Sequence, residues 1–408
     1  MNSATRGPRL LFLDNVKVLF AVLVIFQHAR VTYEGSGWWY YVESGPVDPV
    51  SMVFFMILIG VGGLFQSSLL GLFFLMGGYF TPRSHDRKGV SAFWRERLRR
   101  LGIPLLLYTV LINPVLIYLL STIGIQPCCG DSPVEGSLLD YYASKFQSLG
   151  TSIGFLTDSG PMWFLYVLLL LTAGYTLWRQ ITKGDPLQRY IPKGLSIPRY
   201  SCWLLLAIGL GGVAFLIRLV SPIDRFPLGI PFGFMPQYAM MFGVGVIAAR
   251  YDWLEKMSRY HVRIWSVTMV ATLVLFYLYG FLFLGLDSDP SVMLGGPTVH
   301  ALVFALAETV ICVAMIFVLI PVFRARFNHQ GRLLRNLSAS AYHIYLIHPP
   351  ILVLVALGFA SIPLIRVLKL AIVFPLAATL CYLVSHYVLQ RASSRKATGV
   401  ILRRKDGE

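Results

Sequence analysis

Charged residues are scarce in this sequence: they make up 13% of its 408 residues, whereas hydrophobic residues make up 56%. A typical soluble domain has about 25% charged residues, and a soluble fold of this length cannot hide so much apolar surface. The composition therefore excludes an ordinary soluble protein and predicts an all-α integral membrane protein. The sequence also lacks a repeat of fixed period and an appended soluble segment, so residues 1–408 are expected to form one polytopic domain.

Cysteines are few as well. Of the five, Cys202, Cys312 and Cys381 lie in apolar stretches, and Cys128 and Cys129 are adjacent in a polar connection. Neither arrangement has the ligand spacing of a zinc site. No metal site is expected.

Apolar stretches of about 20 residues, the length that crosses a bilayer, are abundant instead. We find ten, at roughly 10–33, 51–80, 101–122, 161–180, 200–221, 234–250, 262–285, 298–323, 339–358 and 365–390. The second is long and interrupted by Gly60, Gly62, Gly63 and Gly71. It is therefore expected to tilt, to bend, or to divide into a short re-entrant piece and a full span.

Basic and acidic connections alternate along the chain. The N-terminus, the connections after spans two and four, and residues 391–408 are basic, whereas the connections after spans one, three and seven are acidic. Because cytoplasmic loops retain lysine and arginine, this alternation predicts a multi-pass protein of the cell (cytoplasmic) membrane with both termini inside and 391–408 as a basic cytoplasmic tail. The net charge of +16 is then topological, and no nucleic-acid binding is expected.

The first span carries three residues that hydrocarbon penalises: Asp14, Lys17 and His28. At 100° per residue, Lys17 and His28 lie about 20° apart around a helix, and Asp14 lies within about 60° of both. Ionisable groups in a span usually face the bundle interior or a water-filled cavity. The alternative is an interfacial ion pair between Asp14 and Lys17, with His28 near the headgroups. Either way, these residues argue against a cleaved signal peptide.

Later spans carry further candidates for such a cavity. Glu308 falls near the middle of span eight, where an unpaired carboxylate is costly, although it is also suited to a structural hydrogen bond. Tyr345 and His348 share one face of span nine and precede two prolines. Trp163 opens span four, as a cavity residue or as an interfacial aromatic anchor. Together these residues predict a polar cavity within the bundle.

The connection after span two contains the amphipathic segment GVSAFWRERLRRLGIP. Its apolar residues follow helical spacing, which predicts a helix lying at the membrane surface. Its arginines are Arg95, Arg97, Arg99 and Arg100. They are expected either to attract lipid headgroups or to bind a polyanionic soluble ligand at the cytoplasmic mouth of the cavity.

Several segments, in their order along the chain, resemble the acyltransferase-3 family of integral membrane acyltransferases, which includes O-antigen and other glycan acetylases. They are LDNVKVLFAVLVIFQHA, LFFLMGGYF with FWRERLRRLGIPLLLY, GPMWFL and AYHIYLIHPPI. Family members carry an arginine, ten residues and a histidine in span one; here His28 matches the histidine, and Lys17 replaces the arginine. The arginine-rich stretch maps to 95–100, and the late histidine looks like His348. The hydrolase-like domain fused to some members is not expected.

The resemblance implies transfer of an acyl group, expected to be acetyl, from cytoplasmic acyl-CoA to a hydroxyl of a glycan or lipid-linked sugar. His28 is then the general base, while Asp14 and Lys17 orient groups in the cavity or steady the CoA arm. The arginines are expected to hold the CoA phosphates, and no tightly bound cofactor is expected.

Two alternatives stay open at this point. One is an acyl-His28 intermediate, in which the histidine is a nucleophile instead of a base. The other is a proton-coupled secondary transporter or flippase, for which a basic mouth and intramembrane histidines and carboxylates also serve. The sequence shows no similarity between its two halves, which many transporters have.

Overall fold

The structure is a computed structural model that describes residues 10–35, 37, 39–125, 136–148, 158–185, 194–284 and 290–405. The regular secondary structure in this part of the chain is entirely helical, as predicted. Ten helices are long and apolar enough to cross a membrane. The predicted number of spans is therefore confirmed, and the protein is a multi-pass membrane protein.

Eleven helices are numbered here in chain order, and all except the fourth contain a candidate span. They are α1 Leu11–Glu34, α2 Pro49–Lys88, α3 Val90–Thr122, α4 Leu138–Ser148, α5 Trp163–Ile181, α6 Tyr200–Arg218, α7 Met235–Tyr251, α8 Arg259–Phe283, α9 Val299–Arg326, α10 Arg332–Gly358 and α11 Arg366–Lys405.

The glycine-interrupted second stretch forms one continuous helix of 40 residues. The apolar segment Pro49–Leu58 makes its first turns, and the candidate span is Gly62–Lys88. Its end is marked by Gly89, whose φ of +72° lies in the region that favours glycine. Helix α3 begins at the next residue.

The arginine segment differs from its prediction as a separate surface helix. It runs directly into the third span through a π-helical turn at Leu98–Gly102, and the residues on both sides keep helical dihedral angles. A π-turn widens the helix, which accommodates the ring of Pro104 that would otherwise meet the carbonyl of Arg100. The arginines therefore occupy the first turns of a span.

The chain forms two compact units. The first comprises Met1–Phe55, Ile123–Gly130 and Phe323–Glu408. In it, α1, α10 and α11 pack against one another. Asn15 near the start of α1 donates a hydrogen bond to the carbonyl of His329 at 3.0 Å, and Phe26 meets Phe374 of α11 edge-on at 5.3 Å. These contacts help to hold α1, α10 and α11 together, and α1 and α10 carry the histidines described below.

The second unit comprises Met56–Thr122 and Asp131–Val322. Part of its core consists of Leu64 from α2, Phe276 from α8 and Ile311 from α9. Helices α2 and α7 are in backbone contact at two glycines. A Cβ atom at Gly78 or at Gly245 would lie 2.0 Å from a carbonyl oxygen of the other helix. Small residues allow this close packing, as is common between membrane helices.

Candidate active site

His28 of α1 and His348 of α10 form a hydrogen-bonded pair in the first unit. The Nδ1 atom of His28 lies 3.0 Å from Nε2 of His348, although the residues are 320 positions apart. The two rings are within 10° of parallel and their centroids are 5.1 Å apart, so they meet edge to edge. His348 is completely buried, whereas His28 is partly exposed. The structure thus brings together two of the residues predicted from sequence.

The partners of His348 determine where the protons lie in this pair. Its Nδ1 atom is 2.6 Å from the backbone carbonyl oxygen of Tyr345. A carbonyl only accepts, so Nδ1 of His348 carries a proton, and Nε2 of the neutral ring is an acceptor. It accepts from Nδ1 of His28, which leaves Nε2 of His28 unprotonated. The hydrogen bonds therefore run in one direction, from His28 to the carbonyl of Tyr345, and leave Nε2 of His28 as a basic nitrogen.

The local sequence explains why the carbonyl of Tyr345 is available. In an α-helix this oxygen accepts a hydrogen bond from the N–H four residues later. That residue is Pro349, which has no N–H to donate. The Nδ1–H group of His348 takes its place. The HPP sequence thus sets the tautomer of its own histidine.

Trp39 covers the face of His28. The two ring centroids are 4.0 Å apart and the planes differ by 11°, while the centroid of His348 is 6.2 Å from that of Trp39. Trp39 is only 1% exposed. Sequence reasoning missed this residue, because it lies in the connection after α1, outside any apolar span. Its stacking fixes the plane of the His28 ring.

Two cations at the start of α11 hold the connection that carries Trp39. The guanidinium of Arg366 donates to the carbonyls of Tyr33 at 3.3 Å and Ser44 at 3.2 Å, and also to that of Gly45. Lys369, 3% exposed in its side chain, pairs with Glu43 at 2.8 Å. These residues were also missed, because nothing local in the sequence distinguishes them from ordinary end-of-span charges.

Asp48 fixes the far end of the same connection. Its Oδ1 atom accepts a hydrogen bond from the N–H of Ser51 at 2.9 Å, as in a helix N-cap, and its Oδ2 atom accepts from the N–H of Arg366 at 3.3 Å. Hydrogen bonds from Ser51 hold the pKa of Asp48 below its usual value. The ionised carboxylate therefore stabilises this end of the connection.

Asp14 and Lys17 form an ion pair with each other at 3.0 Å. An interfacial ion pair between these two residues was the alternative that the sequence left open to a polar face lining a cavity. They precede His28 by eleven or more residues, which corresponds to about 16 Å along a helix. The structure therefore places them on the same helix as His28 but does not bring them to the histidine pair.

Two other predicted residues have contrasting surroundings. The ring of Tyr345 lies 5.8 Å from that of His348, in agreement with a place beside the pair. Trp163, in the second unit, follows a short 3-10 turn and stacks on Tyr238 at 5.8 Å. Its contacts are those of a packed aromatic residue within that unit.

The four arginines of α3 do not act as one cluster. Arg97 turns inward: it donates to the hydroxyl of Thr81 at 3.0 Å and lies over the ring of Phe93 at 5.2 Å. Arg100 pairs with Glu96 at 3.2 Å on the surface. Arg95, Arg99 and Arg100 are exposed. Only Arg97 is held in place by a buried side chain, and the other three are accessible to a soluble anion.

Glu308 lies in the second unit and is paired with Arg218 of α6. The two charged groups are 2.7 Å apart, and both side chains are at most 1% exposed. Arg218 also donates to the carbonyl of Gly233 at 3.0 Å. Sequence reasoning missed Arg218, because it stands at the end of a span where an interfacial charge is unremarkable. Glu308 is thus part of a buried ion pair, the structural role that the sequence left open for it.

The protein is thus a multi-pass membrane protein with a directed histidine pair inside its helices. The family is shown by a family model described as an acyltransferase domain, which matches residues 10–386. The chain belongs to the acyltransferase-3 family. The resemblance seen in the sequence is therefore confirmed over nearly the whole chain.

Curated relatives match over a shorter range. Glucans biosynthesis protein C from Salmonella schwarzengrund (strain CVM19633) is 24% identical over 224 residues, which is 54% of this chain and 52% of the relative. The proteins of the same name from Salmonella enteritidis PT4 (strain P125109) and Salmonella heidelberg (strain SL476) are 24% and 23% identical over the same shares. The chain thus spans about half the length of these relatives. No solved structure matches it.

Proposed function

We propose that this protein transfers an acyl group from acyl-CoA to a sugar hydroxyl, with Nε2 of His28 as the general base. The observation that carries the proposal is the chain of hydrogen bonds from His28 through His348 to the carbonyl of Tyr345. It leaves a lone pair on Nε2 of His28, and Trp39 covers one face of that ring. Membership of the acyltransferase family supplies the reaction type, and the names of the relatives, which refer to glucan biosynthesis, suggest a sugar acceptor.

The base is needed because a sugar hydroxyl is a poor nucleophile until its proton is removed. In the proposed reaction, Nε2 of His28 takes that proton as the hydroxyl oxygen attacks the thioester carbonyl carbon. The C–S bond then breaks, and the sulfur leaves with the electron pair of that bond. It takes from Nε2 the proton that came from the sugar hydroxyl. A new ester and free CoA result. General-base assistance of this kind contributes about 10²–10⁴ in rate.

His348 stabilises the protonated base in this scheme. When His28 becomes an imidazolium, its Nδ1–H still donates to the neutral Nε2 of His348, so the hydrogen bond becomes charge-assisted and stronger. His348 in turn keeps its own proton on the carbonyl of Tyr345. The positive charge therefore has a hydrogen-bond acceptor, Nε2 of His348, as soon as it forms, and no side chain has to rearrange. In this role His348 is a positioning residue, because it acts through His28.

The donor is proposed to be acyl-CoA, with acetyl-CoA as the first candidate. Its phosphates suit guanidinium groups, which make paired charge-assisted hydrogen bonds to phosphate oxygens. Arg95, Arg99 and Arg100 are exposed for that role, and Arg97 is held against Thr81 and Phe93. The Asp14–Lys17 pair is proposed to orient the CoA arm, with both termini and these groups on the cytoplasmic side.

The test is release of CoA thiol by purified protein in liposomes, supplied with acetyl-CoA or succinyl-CoA and a glucan oligosaccharide. We expect release that depends on the acceptor in the wild type and falls about 10²–10⁴-fold in His28→Ala. His261→Ala, at the start of α8 in the second unit, is the matched control and should retain full activity. Equal release by the His28→Ala variant would refute the assigned base, and no release from any donor would refute the function.

A further inference from the structure

An apolar groove of about 210 Å³ lies in the first unit, between α1, α10 and α11. Its walls include Val22 and Ile25 of α1, Leu337 and Ile344 of α10, and Ala378 and Tyr382 of α11. No charged residue lines it. It is open to the surface, since Val22 and Thr379 in its lining are exposed. All three helices are candidate membrane spans, so we expect the opening to face the hydrocarbon of the bilayer.

The groove lies one helical turn from the histidine pair. Side chains three or four residues apart lie one above the other on a helix. Ile25 precedes His28 by three residues, and Ile344 precedes His348 by four. Both walls therefore continue, one turn further, into the two histidines. From Val18 to Ile25, and equally from Leu337 to Ile344, the walls extend about 10 Å along the helices.

The connection after α1 covers one side of the pair. Trp39 covers the face of His28 at 4.0 Å, and Arg366 and Lys369 tie down the connection that carries it. His348 is completely buried. A lateral apolar opening serves a substrate that arrives within the bilayer, whereas acyl-CoA is polyanionic and arrives from water. The occupant that fits is thus a hydrocarbon chain whose polar head ends at His28.

We infer that this groove binds the hydrocarbon chain of a lipid-linked sugar acceptor and delivers its hydroxyl to Nε2 of His28. The inference rests on the proposed function and adds the acceptor class to it. The head of the lipid lies at the histidine pair, and its chain runs along α1 and α10 past Ile25 and Ile344 toward Val18 and Leu337. Filling the groove should then remove the contribution of the hydrocarbon chain to kcat/KM and leave proton transfer at His28 intact.

Alkyl glucosides provide a matched series of acceptors, with one sugar and tails of different length. The readout is kcat/KM for dodecyl glucoside divided by that for methyl glucoside, measured in liposomes. Ala378→Phe, which fills the groove, should lower this ratio about tenfold, the effect of leaving roughly two methylene groups unburied. Ala271→Phe makes the same change on an exposed face of α8 and should leave the ratio unchanged. Val22→Trp is a second filling variant at a partly exposed position, in case Ala378→Phe does not fold.

The activity of each variant on methyl glucoside separates the two proposals. If wild type and variants all transfer the acyl group but the ratio does not change, the groove assignment is wrong and the proposed function stands. If the filling variants instead lose activity with long-chain acyl-CoA while retaining it with acetyl-CoA, the groove holds the donor's acyl chain and the inference is overturned.

A labelling experiment tests the groove without activity. A dodecyl glucoside with a diazirine at the end of its tail is photolysed with the protein in liposomes, and the labelled peptides are identified by mass spectrometry. We expect labels on the α1 and α10 segments 18–25 and 337–344, lost in Ala378→Phe and retained in Ala271→Phe. Labelling spread evenly over exposed spans, or unchanged in Ala378→Phe, would show only contact with surrounding lipid and would overturn the inference.

Discussion

Each of the two units contains a pair of polar side chains within its helices, and the pairs use hydrogen bonds differently. In the second unit, Arg218 and Glu308 neutralise each other's charge. In the first, His28 and His348 are neutral rings whose hydrogen bonds all run toward the carbonyl of Tyr345. Moving a proton within an ion pair does not stabilise it, whereas the directed hydrogen bonds of the histidine pair leave a free lone pair on Nε2 of His28. Burial alone therefore does not identify a reactive group; the direction of its hydrogen bonds does.

The largest expected effect is on stability, at the ion pair. Glu308→Ala leaves the Arg218 charge buried without its partner, which should cost about 3–5 kcal/mol. The double variant Arg218→Met with Glu308→Leu removes both charges and should recover most of that loss. Chemical unfolding in detergent measures both. His28→Ala should unfold close to the wild type, and a single variant no less stable than the double would contradict a structural role for the pair.

The next effect is on activity, at the histidine pair. His348→Ala removes the acceptor for Nδ1 of His28 and should lower the rate roughly 10–100-fold, less than loss of the base itself. His348→Gln keeps an acceptor oxygen and should restore part of the rate.

The pH–rate profile distinguishes positioning from packing in this pair. If His348 acts through His28, the acidic limb of the profile moves in His348→Ala and returns toward its original position in His348→Gln. A profile of unchanged shape with a uniformly lower rate would show that His348 only fills space.

The sequence predicts the spans well because hydropathy and charge are local properties. Ten apolar stretches and ten candidate spans agree, with ends that differ by a few residues at most helices. The exceptions are the span in α2, which begins 11 residues and ends eight residues later than predicted, the span in α10, which begins seven residues earlier, and α3, where the sequence predicted a surface helix before a span that starts at 101. The π-turn at Leu98–Gly102, which joins the two into one helix, has no clear signature in sequence.

The site is less predictable because its partners are distant in sequence. Helical geometry placed His28 on a polar face, and the family resemblance pointed to His348, but their contact joins residues 320 positions apart. Glu308 was visible as an isolated carboxylate, while Arg218, 90 positions away, was not visible as its partner. One signal was available and unused: Pro349 leaves the carbonyl of Tyr345 without its helical donor, beside a histidine that can supply one.

A smaller effect concerns the connection that positions Trp39 over His28. Lys369→Met leaves the carboxylate of Glu43 without its cation. Because this pair is largely buried but near the surface, we expect local opening to become about tenfold more frequent, as for loss of one hydrogen bond to a charged group. Hydrogen exchange at the amide of Glu43, which donates to the carbonyl of Thr32 at 2.8 Å, reports it. Amides of α7 in the second unit should not change, and unaltered exchange at Glu43 would show that Arg366 alone holds the connection.

The smallest expected effect is the pH dependence of local stability at two aspartates, one in a connection of each unit. Hydrogen bonds from Ser51 lower the pKa of Asp48, whereas burial raises the pKa of Asp158 against the opposing hydrogen bond from Gly160. The direction in which each aspartate's contribution to stability changes with pH follows from the direction of its pKa shift. The stability contributed by Asp48 is present above its ordinary pKa, about 3.9, and is lost as the pH falls through its lowered value. That of Asp158 is present below its ordinary pKa and is lost as the pH rises through its raised value.

Acid should therefore loosen the Asp48 connection and tighten that of Asp158. Hydrogen exchange at residues 50–52 and at residues 160, 162 and 163, corrected for intrinsic rates between pH 3 and pH 7, measures the two responses on the same sample. Asp48→Asn and Asp158→Asn should each flatten only their own response, because an amide does not titrate. Parallel responses in both segments would mean that acid acts on the whole protein, and the electrostatic difference between the two units would then lie in their buried pairs alone.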